Sequence, residues 1–524
     1  MSDEPIRPSD DERGLAQRSV AAAAWLLTGN GATSVLRIIV ISALGRLLDP
    51  SEIGLASAAM FITGFLQIVV RTGVGPVLVQ LARVEARHVH AVFAMNTALA
   101  VSVLVFALAF ADPIADLTFG MDGLADVFRG ACLMIPLQSL AAIPAALLQR
   151  DLRFEVVARA SVLAYGLGYA TFSIGLAASG FGAWSIVWGY VAEAFLICVL
   201  LLSRRPFAMG WADFQTIREV GSLGAGFILG KIANYFANNG DIWAVGRKLG
   251  QAGVGFYNYA YQLAIVPGAL LGDVIDQVMF PALARAQNDR ERLRRAFEAG
   301  LALMWMAVGP LSVAMVMLAE PAILTLLGTK WASIVLPFQI LACVSVMRAS
   351  QKICDSLARA TGAVYRRSWR QAIYASLVVA GASIGASRGL PGSATGVAIA
   401  IVLSYGLMLS LALKLVGMRW RDVLRVFVRA FPLAAVTGLS IEICDRMLSP
   451  WELPHSVQLI AVSVISGIGI LATIVAAPGW LLGPFGRAAL RILLPATGPR
   501  FVAIANSSIA QRIIGIPPAG TPPR

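Results

Sequence analysis

Residues 44–62, LGRLLDPSEIGLASAAMFI, and residues 245–263, VGRKLGQAGVGFYNYAYQL, carry the same landmarks at the same spacing. Gly45-Arg46-Leu47-Leu48 corresponds to Gly246-Arg247-Lys248-Leu249, Gly54 to Gly255 and Ala59 to Ala260. A constant 201 residues separates 45 from 246, 54 from 255 and 59 from 260. The segment after each copy ends in Pro-x-Leu and a basic residue: Pro76-Val77-Leu78 with Arg83, and Pro281-Ala282-Leu283 with Arg285. Each copy joins two long apolar segments, and six such segments separate the copies. Two copies entering a membrane in the same direction make a parallel repeat, with two six-helix lobes related by an axis along the membrane normal. Two-lobed membrane proteins work by rocking around a central cavity, which points to transport.

The membrane reading rests on bulk properties. Of 524 residues, 58% are hydrophobic and 14% charged, with a mean hydropathy of +0.75. Soluble domains carry about 25% charged residues, so this chain has too little polar surface to cover itself in water. Apolar stretches of about 20 residues recur along it, each long enough to cross a hydrocarbon core of about 30 Å. They predict an all-α integral membrane protein with about fourteen transmembrane helices. Helices are expected near 20–44, 53–79, 91–111, 127–148, 158–179, 182–202, 220–242, 254–280, 297–319, 333–356, 370–388, 393–416, 424–445 and 456–477.

These helices divide the chain into a disordered cytoplasmic tail (1–17), an N-lobe (18–202), a cytoplasmic linker (203–219) and a C-lobe (220–417). Two extra helices (418–480) and a cytoplasmic tail (481–524) follow. The N-terminus lacks the basic region and short apolar core of a signal peptide. No loop is long enough for a folded soluble domain.

The net charge of +13 raises nucleic acid as a partner, but its distribution argues against it. Basic clusters at Arg150/Arg153/Arg159, Arg204/Arg205, Arg285 to Arg295, Arg366/Arg367/Arg370 and Arg419 to Arg429 alternate with short, acid-leaning loops such as 112–126. That alternation is what the positive-inside rule predicts for cytoplasmic loops. The basicity is thus topology rather than a nucleic-acid footprint, and an even count of helices puts both termini in the cytoplasm, consistent with Arg13 and Arg18 before the first helix.

A charge at the bilayer centre costs on the order of 3 kcal/mol, so it faces a cavity or a partner. Arg37, Arg71, Lys231 and Arg348 fall inside predicted helices, each in a polar stripe at helical spacing. The stripes are Asn30/Ser34/Arg37, Thr63/Gln67/Arg71, Lys231/Asn234/Asn238/Asp241 and Ser345/Arg348/Lys352/Asp355. Such stripes also serve as interhelical glue, and charges near helix ends snorkel to the interface, a reading that applies to Arg71 and Asp241. Together they suggest one cationic lumen suited to an anionic ligand such as a diphosphate. The expected substrate-binding set is therefore Arg37, Arg71, Lys231, Asn234, Asn238, Asp241 and Arg348. Glu193, Asp273, Asp276 and Glu442 are candidates for a proton or sodium relay.

The five cysteines are unpaired in spacing and read as small buried hydrophobes. Three scattered histidines do not make a metal site. The stretch AGFILGKI (225–232) resembles a phosphate loop but lacks the Ser/Thr after Lys231 and lies in a helix rather than after a strand. No nucleophile elbow, metal-ligand cluster or Asp-x-Asp sugar-nucleotide signature argues for an enzyme.

Several longer runs resemble the polysaccharide transporter family, the O-antigen and exopolysaccharide flippases of the multidrug/oligosaccharidyl-lipid/polysaccharide superfamily. They are Arg18-Ser19-Val20 through Trp25, residues 44–62, RTGVGPVLVQ (71–80), LLQRDLRFE (147–155), NNGDIWAVGRKLGQAGVGFYNYAYQLAIVP (238–267) and MFPALARAQND (279–289). The resemblance covers most of residues 18–420 and is nearest to the succinoglycan- or colanic-acid-like exopolysaccharide branch. It implies a two-lobed flippase fold whose substrate is an undecaprenyl-diphosphate-linked oligosaccharide. A polysaccharide polymerase and a chain-length regulator are candidate partners, beside membrane lipids. The alternatives are a sister-family exporter of drugs or murein lipid precursor, and a membrane polysaccharide polymerase.

Overall fold

The computed structural model describes residues 36–71, 85–207, 228–448 and 454–476, with residues 33, 34, 78, 210, 216 and 450 besides. Every regular element among them is helical. Helix α1 is described over 36–47, followed by α2 (Pro50–Arg71) and α3 (Ala86–Ala109). Next come α4 (Leu124–Arg150), α5 (Phe154–Ala178) and α6 (Ala183–Arg204). The remainder are α7 (Ile228–Ala286), α8 (Arg290–Met317), α9 (Thr329–Ala360), α10 (Val364–Gly385), α11 (Gly389–Val416), α12 (Trp420–Leu448) and α13 (His455–Ala476).

Nine of the described helices are long and apolar enough to cross a membrane, the α10–α11 hairpin being one 53-residue run. The expected set of about fourteen crossings is consistent with these and the remaining helices. Their outward faces are oily. Phe431 is 67% exposed and Ile468 63%, a surface that hydrocarbon accepts and water penalises. The chain is a multi-pass membrane protein.

Two compact units are formed. One contains residues up to Val40 and Ala58–Ile232; the other contains Ile41–Ser57 and everything from Ala233. In the first, α3 and α4 are clasped by a reciprocal pair. Asn96 Nδ2 donates to the Ser139 carbonyl at 2.8 Å, and Ser139 Oγ donates to the Asn96 carbonyl at 3.3 Å. Both residues are buried, so the side-chain amide and the hydroxyl each donate to a carbonyl where lipid offers none. Helix α5 widens into a π-turn at Ala164–Ala170, which brings Tyr169 to 4.3 Å from the Tyr190 ring of α6.

In the second unit the core is built from α7, α8, α9, α11 and α12 around Phe297, Leu301, Ile353, Leu357, Met408 and Leu409. Asp289 caps α8, accepting from the amides of Glu291 and Arg292 at 3.0 Å.

The two helices that the sequence predicts, 220–242 and 254–280, correspond to the two arms of α7, which meet at Gly250, whose φ of 67° and ψ of −167° break the helix; the first arm runs further than expected. Residues 243–249 are helical with Ala244 and Val245 buried and Arg247 and Lys248 exposed. The two cations lower the local hydropathy and conceal an amphipathic turn.

Helices α10 and α11 touch backbone to backbone. A Cβ added to Gly385 would lie 2.1 Å from the Gly392 carbonyl oxygen, and one on Gly396 would lie 2.0 Å from that of Gly381. Small residues permit this approach, which is how membrane helices gain packing without a hydrophobic drive. Replacing Gly385 with valine should destabilise the protein by about 1–3 kcal/mol, read as a fall of several degrees in the melting temperature in detergent. Gly406→Val, where nothing lies within 4 Å, should be near neutral.

Candidate functional site

The first arm of α7 carries Asn234, Asn238 and Asp241 on one face, as their spacing requires. In the second unit this face meets Arg348 of α9, Gln371 and Tyr374 of α10, and Tyr257 and Tyr261 from the other arm of α7. Arg348 Nη2 donates to Asn238 Oδ1 at 3.1 Å, and the guanidinium lies 4.9 Å from the centroid of the Tyr261 ring. Cation–π contact of this kind suits an arginine removed from water. Asn238 Nδ2 donates to the Asn234 carbonyl at 2.6 Å, and Gln371 Nε2 donates to Asn234 Oδ1 at 3.2 Å.

Asp241 is 1% exposed. It accepts from the Tyr257 hydroxyl at 2.8 Å and from the amide of Ile242 at 3.0 Å. Asp241 and Arg348 also attract one another electrostatically, so the buried acid and base are partial counter-charges. Asp241 is expected near a helix end, where it could snorkel. Because α7 continues to the bend at Gly250, the residue instead lies mid-helix and is held by Tyr257.

The other expected residues lie elsewhere. Lys231 is half-buried one turn before Asn234 on α7 and belongs to the first unit. Arg37 is exposed on α1, in the first unit, with Tyr165 of α5 and Glu193 of α6 within its electrostatic reach. Arg71 is the last residue of α2; its side chain lies outside the described residues, as do Asn30 and the side chains of Asp273 and Asp276.

In two stripes, members are claimed by other partners. Thr63 is buried and donates to the Ala59 carbonyl of its own helix at 2.8 Å, a local bond that satisfies the hydroxyl. On α9, Ser345 turns to Ser312 of α8 at 2.7 Å, while Asp355 pairs with Arg367 of α10 at 2.9 Å. Arg348 of that stripe joins the α7 cluster, and the Lys352 side chain lies against Gly272 on the other arm of α7. Glu442 pairs with Arg446 one turn on along α12, with its side chain 46% exposed, so it is a surface pair rather than a relay.

Among the described residues, no group of three His, Cys, Asp or Glu side chains could hold a metal ion. Four cysteines are buried as expected, but Cys343 is exposed. Gln371, Tyr374, Tyr257 and Tyr261 escape a search for intramembrane charge because none is charged. The Tyr257/Tyr261 spacing of four, one helical turn beside Asn258, was the available signal.

Similarity to known proteins agrees with this architecture. The succinoglycan biosynthesis transport protein ExoT of Rhizobium meliloti (strain 1021) is 28% identical over 313 residues, 59% of this chain and 62% of ExoT. The matched region is thus less than two thirds of ExoT's own length. The lipopolysaccharide biosynthesis protein WzxC of Escherichia coli (strain K12) is 24% identical over 354 residues, 67% of this chain and 71% of WzxC. A structure of the lipid II flippase MurJ in an inward closed conformation covers 86% of this chain and 98% of its own, with a TM-score of 0.69 at 13% identity, which shows a shared fold. A family model described as polysaccharide biosynthesis protein matches residues 43–336, more than half of the chain, and the chain belongs to that family.

Proposed function

We propose that this protein is a flippase that carries undecaprenyl-diphosphate-linked oligosaccharide repeat units from the cytoplasmic to the periplasmic leaflet of a bacterial inner membrane. It works by alternating access, and the product feeds exopolysaccharide or lipopolysaccharide assembly. Both termini are cytoplasmic, and a polysaccharide polymerase and a chain-length regulator act beside it. That ExoT is a succinoglycan biosynthesis transport protein and MurJ a lipid II flippase supports the class of cargo.

The observation that carries the reading is Arg348, a guanidinium held within a membrane-length helix by an amide oxygen and a tyrosine face. An arginine has five N–H donors in a planar fork that matches phosphate oxygens. A diphosphate crossing hydrocarbon needs compensating cations along the way. Arg348, Lys231, Arg37 and Arg71 are the residues of this chain suited to meet it, with Asn234 and Asn238 offering neutral hydrogen bonds and Asp241 restraining Arg348. Basic rather than acidic side chains disfavour a cationic drug as cargo. No covalent step is involved, so what the protein contributes is binding and a change of access.

Deleting the gene should stop polymer production and cause unflipped lipid-linked units to build up on the cytoplasmic leaflet. Units that are flipped yet unpolymerised would instead point to a polymerase. In the complemented strain, Arg348→Gln should lower polymer at least about tenfold, equivalent to about 1.4 kcal/mol, at unchanged protein level. Arg348→Lys should fall between, retaining the charge but not the fork. Normal polymer from both Arg37→Gln and Lys231→Gln would remove those two residues from the path. Tyr257→Phe deprives buried Asp241 of a donor and should cost about 1–3 kcal/mol, measured by thermal unfolding of the purified protein.

A further inference from the structure

Three helices of the first unit end around one cavity. Helix α3 begins at Ala86, α4 ends at Arg150 and α6 ends at Arg204, and the space between these ends measures about 340 Å³. That is near the lower end of small-molecule pockets, roughly 300–1,000 Å³. Its apolar wall is Val89, Leu147 and Phe207. Val89 and Phe207 pack against the core of Leu78, Ile143 and Leu147, and the Phe207 ring meets Phe93 edge-on with centroids 5.8 Å apart.

The alternation of basic loops along the chain puts all three helix ends on the cytoplasmic side. A cavity bounded by the terminal turns of membrane-length helices lies at the level of the lipid headgroups, between hydrocarbon and bulk water.

The polar wall carries both signs of charge, Arg150 and Arg205 beside Glu85 and Asp151. Arg150 Nη1 donates to the Leu78 carbonyl at 3.0 Å, which holds the guanidinium against the core. Arg205 Nε lies 3.4 Å from Asp151 Oδ2, and both side chains are half-exposed. A charge-assisted hydrogen bond of this kind spans about 2.7–2.9 Å, so the pair is loose enough to take a ligand between its members. Glu85 is half-exposed as well, 2.9 Å from Arg87. His90 completes the lining, and its Nε2 is buried with no hydrogen-bond partner among the described residues. A nitrogen in that state is destabilising unless something enters to meet it. Gly210 crowds the ring from its other side, since a Cβ built there would lie 2.9 Å from Nδ1.

We propose that this cavity binds the zwitterionic phosphoethanolamine headgroup of a phospholipid in the cytoplasmic leaflet. Arg150, Arg205 and His90 supply N–H donors for the phosphate oxygens, and Glu85 and Asp151 accept from the primary ammonium with its three donors. Basic pockets between transmembrane helices on the cytoplasmic side hold anionic headgroups. Here two carboxylates in the same wall repel a headgroup of net negative charge and give an ammonium its acceptors. A quaternary ammonium has no N–H to offer them. Val89 and Leu147 receive the glycerol end. A lipid seated in this way ties the ends of α3, α4 and α6 together and fixes residues 205–207, where the linker after α6 begins.

The test is native mass spectrometry of full-length protein in detergent. Phosphatidylethanolamine, phosphatidylglycerol and phosphatidylcholine with identical acyl chains are supplied in equal amounts. Wild-type protein should retain phosphatidylethanolamine at least about fivefold over either of the others, a modest effect for hydrogen bonds to charged groups. Asp151→Asn removes an acceptor for the ammonium but leaves the phosphate side intact. The preference should then vanish as retained phosphatidylglycerol rises to match, a gain that a damaged protein would not show. Ala86→Trp, at an exposed position in the lining, fills the space without touching a charge and should lower retained phosphatidylethanolamine several-fold. Arg421→Gln, on an exposed arginine of α12, should leave it unchanged.

Wild-type protein that retained phosphatidylglycerol or phosphatidylcholine as strongly would overturn the proposal. So would an undiminished phosphatidylethanolamine adduct in Ala86→Trp, or an equal loss in Arg421→Gln. If free phosphoethanolamine displaced the lipid at equal concentration, the occupant would be a soluble phosphate ester and the lipid assignment would fail.

Discussion

Hydrocarbon offers no hydrogen bonds, and that single constraint organises the molecule. Backbone amides and carbonyls must be satisfied within each segment, so the described chain is helical throughout. The same demand reaches the side chains. Asn96 and Ser139 each donate to the other's carbonyl, Thr63 turns to its own helix, and Asp241 takes the Tyr257 hydroxyl. Where one of these groups is charged, the demand becomes strict enough that few arrangements survive, and Arg348 among Asn238, Tyr261 and Asp241 is one of them.

Close approach is the second organising fact. Helices in lipid gain little from burying apolar surface, so van der Waals contact between backbones must substitute. Glycine makes this possible in two places with different consequences. At Gly381, Gly385, Gly392 and Gly396 it welds consecutive helices into a hairpin. At Gly54 and Gly255 it lets the two repeat copies close on their own axis. The hairpin joins neighbours in sequence and is static packing. The repeat contact joins segments 201 residues apart, with Asn258 Nδ2 donating to Ser57 Oγ.

The polar residues divide according to how well spacing alone predicts environment. The α7 stripe was legible because steps of three and four put Lys231, Asn234, Asn238 and Asp241 on one face whatever that face meets. Arg348 was legible because a charge within an apolar helix is rare. What Arg348 meets was not legible. Gln371 follows a run of arginines that charge counting assigns to a loop, and Tyr257 and Tyr261 carry no charge to draw notice. The α9 stripe divides for the complementary reason. Ser345 and Asp355 share a face with Arg348 in projection, yet Ser312 of α8 and Arg367 of α10 claim them.

By itself the sequence determined the membrane environment, the all-helical class, the family resemblance and the repeat at a fixed offset. These follow from composition and local periodicity, which depend on each segment and the solvent around it. Only the tertiary structure decided that residues 243–249 extend a helix to Gly250, that Asp241 is buried mid-helix beside Tyr257, and that Gly54 faces Gly255. Each of those depends on which segments approach one another and how closely. The offset of 201 said that the two motifs are alike; that they touch across their own axis is a fact of packing, since likeness in sequence carries no distance.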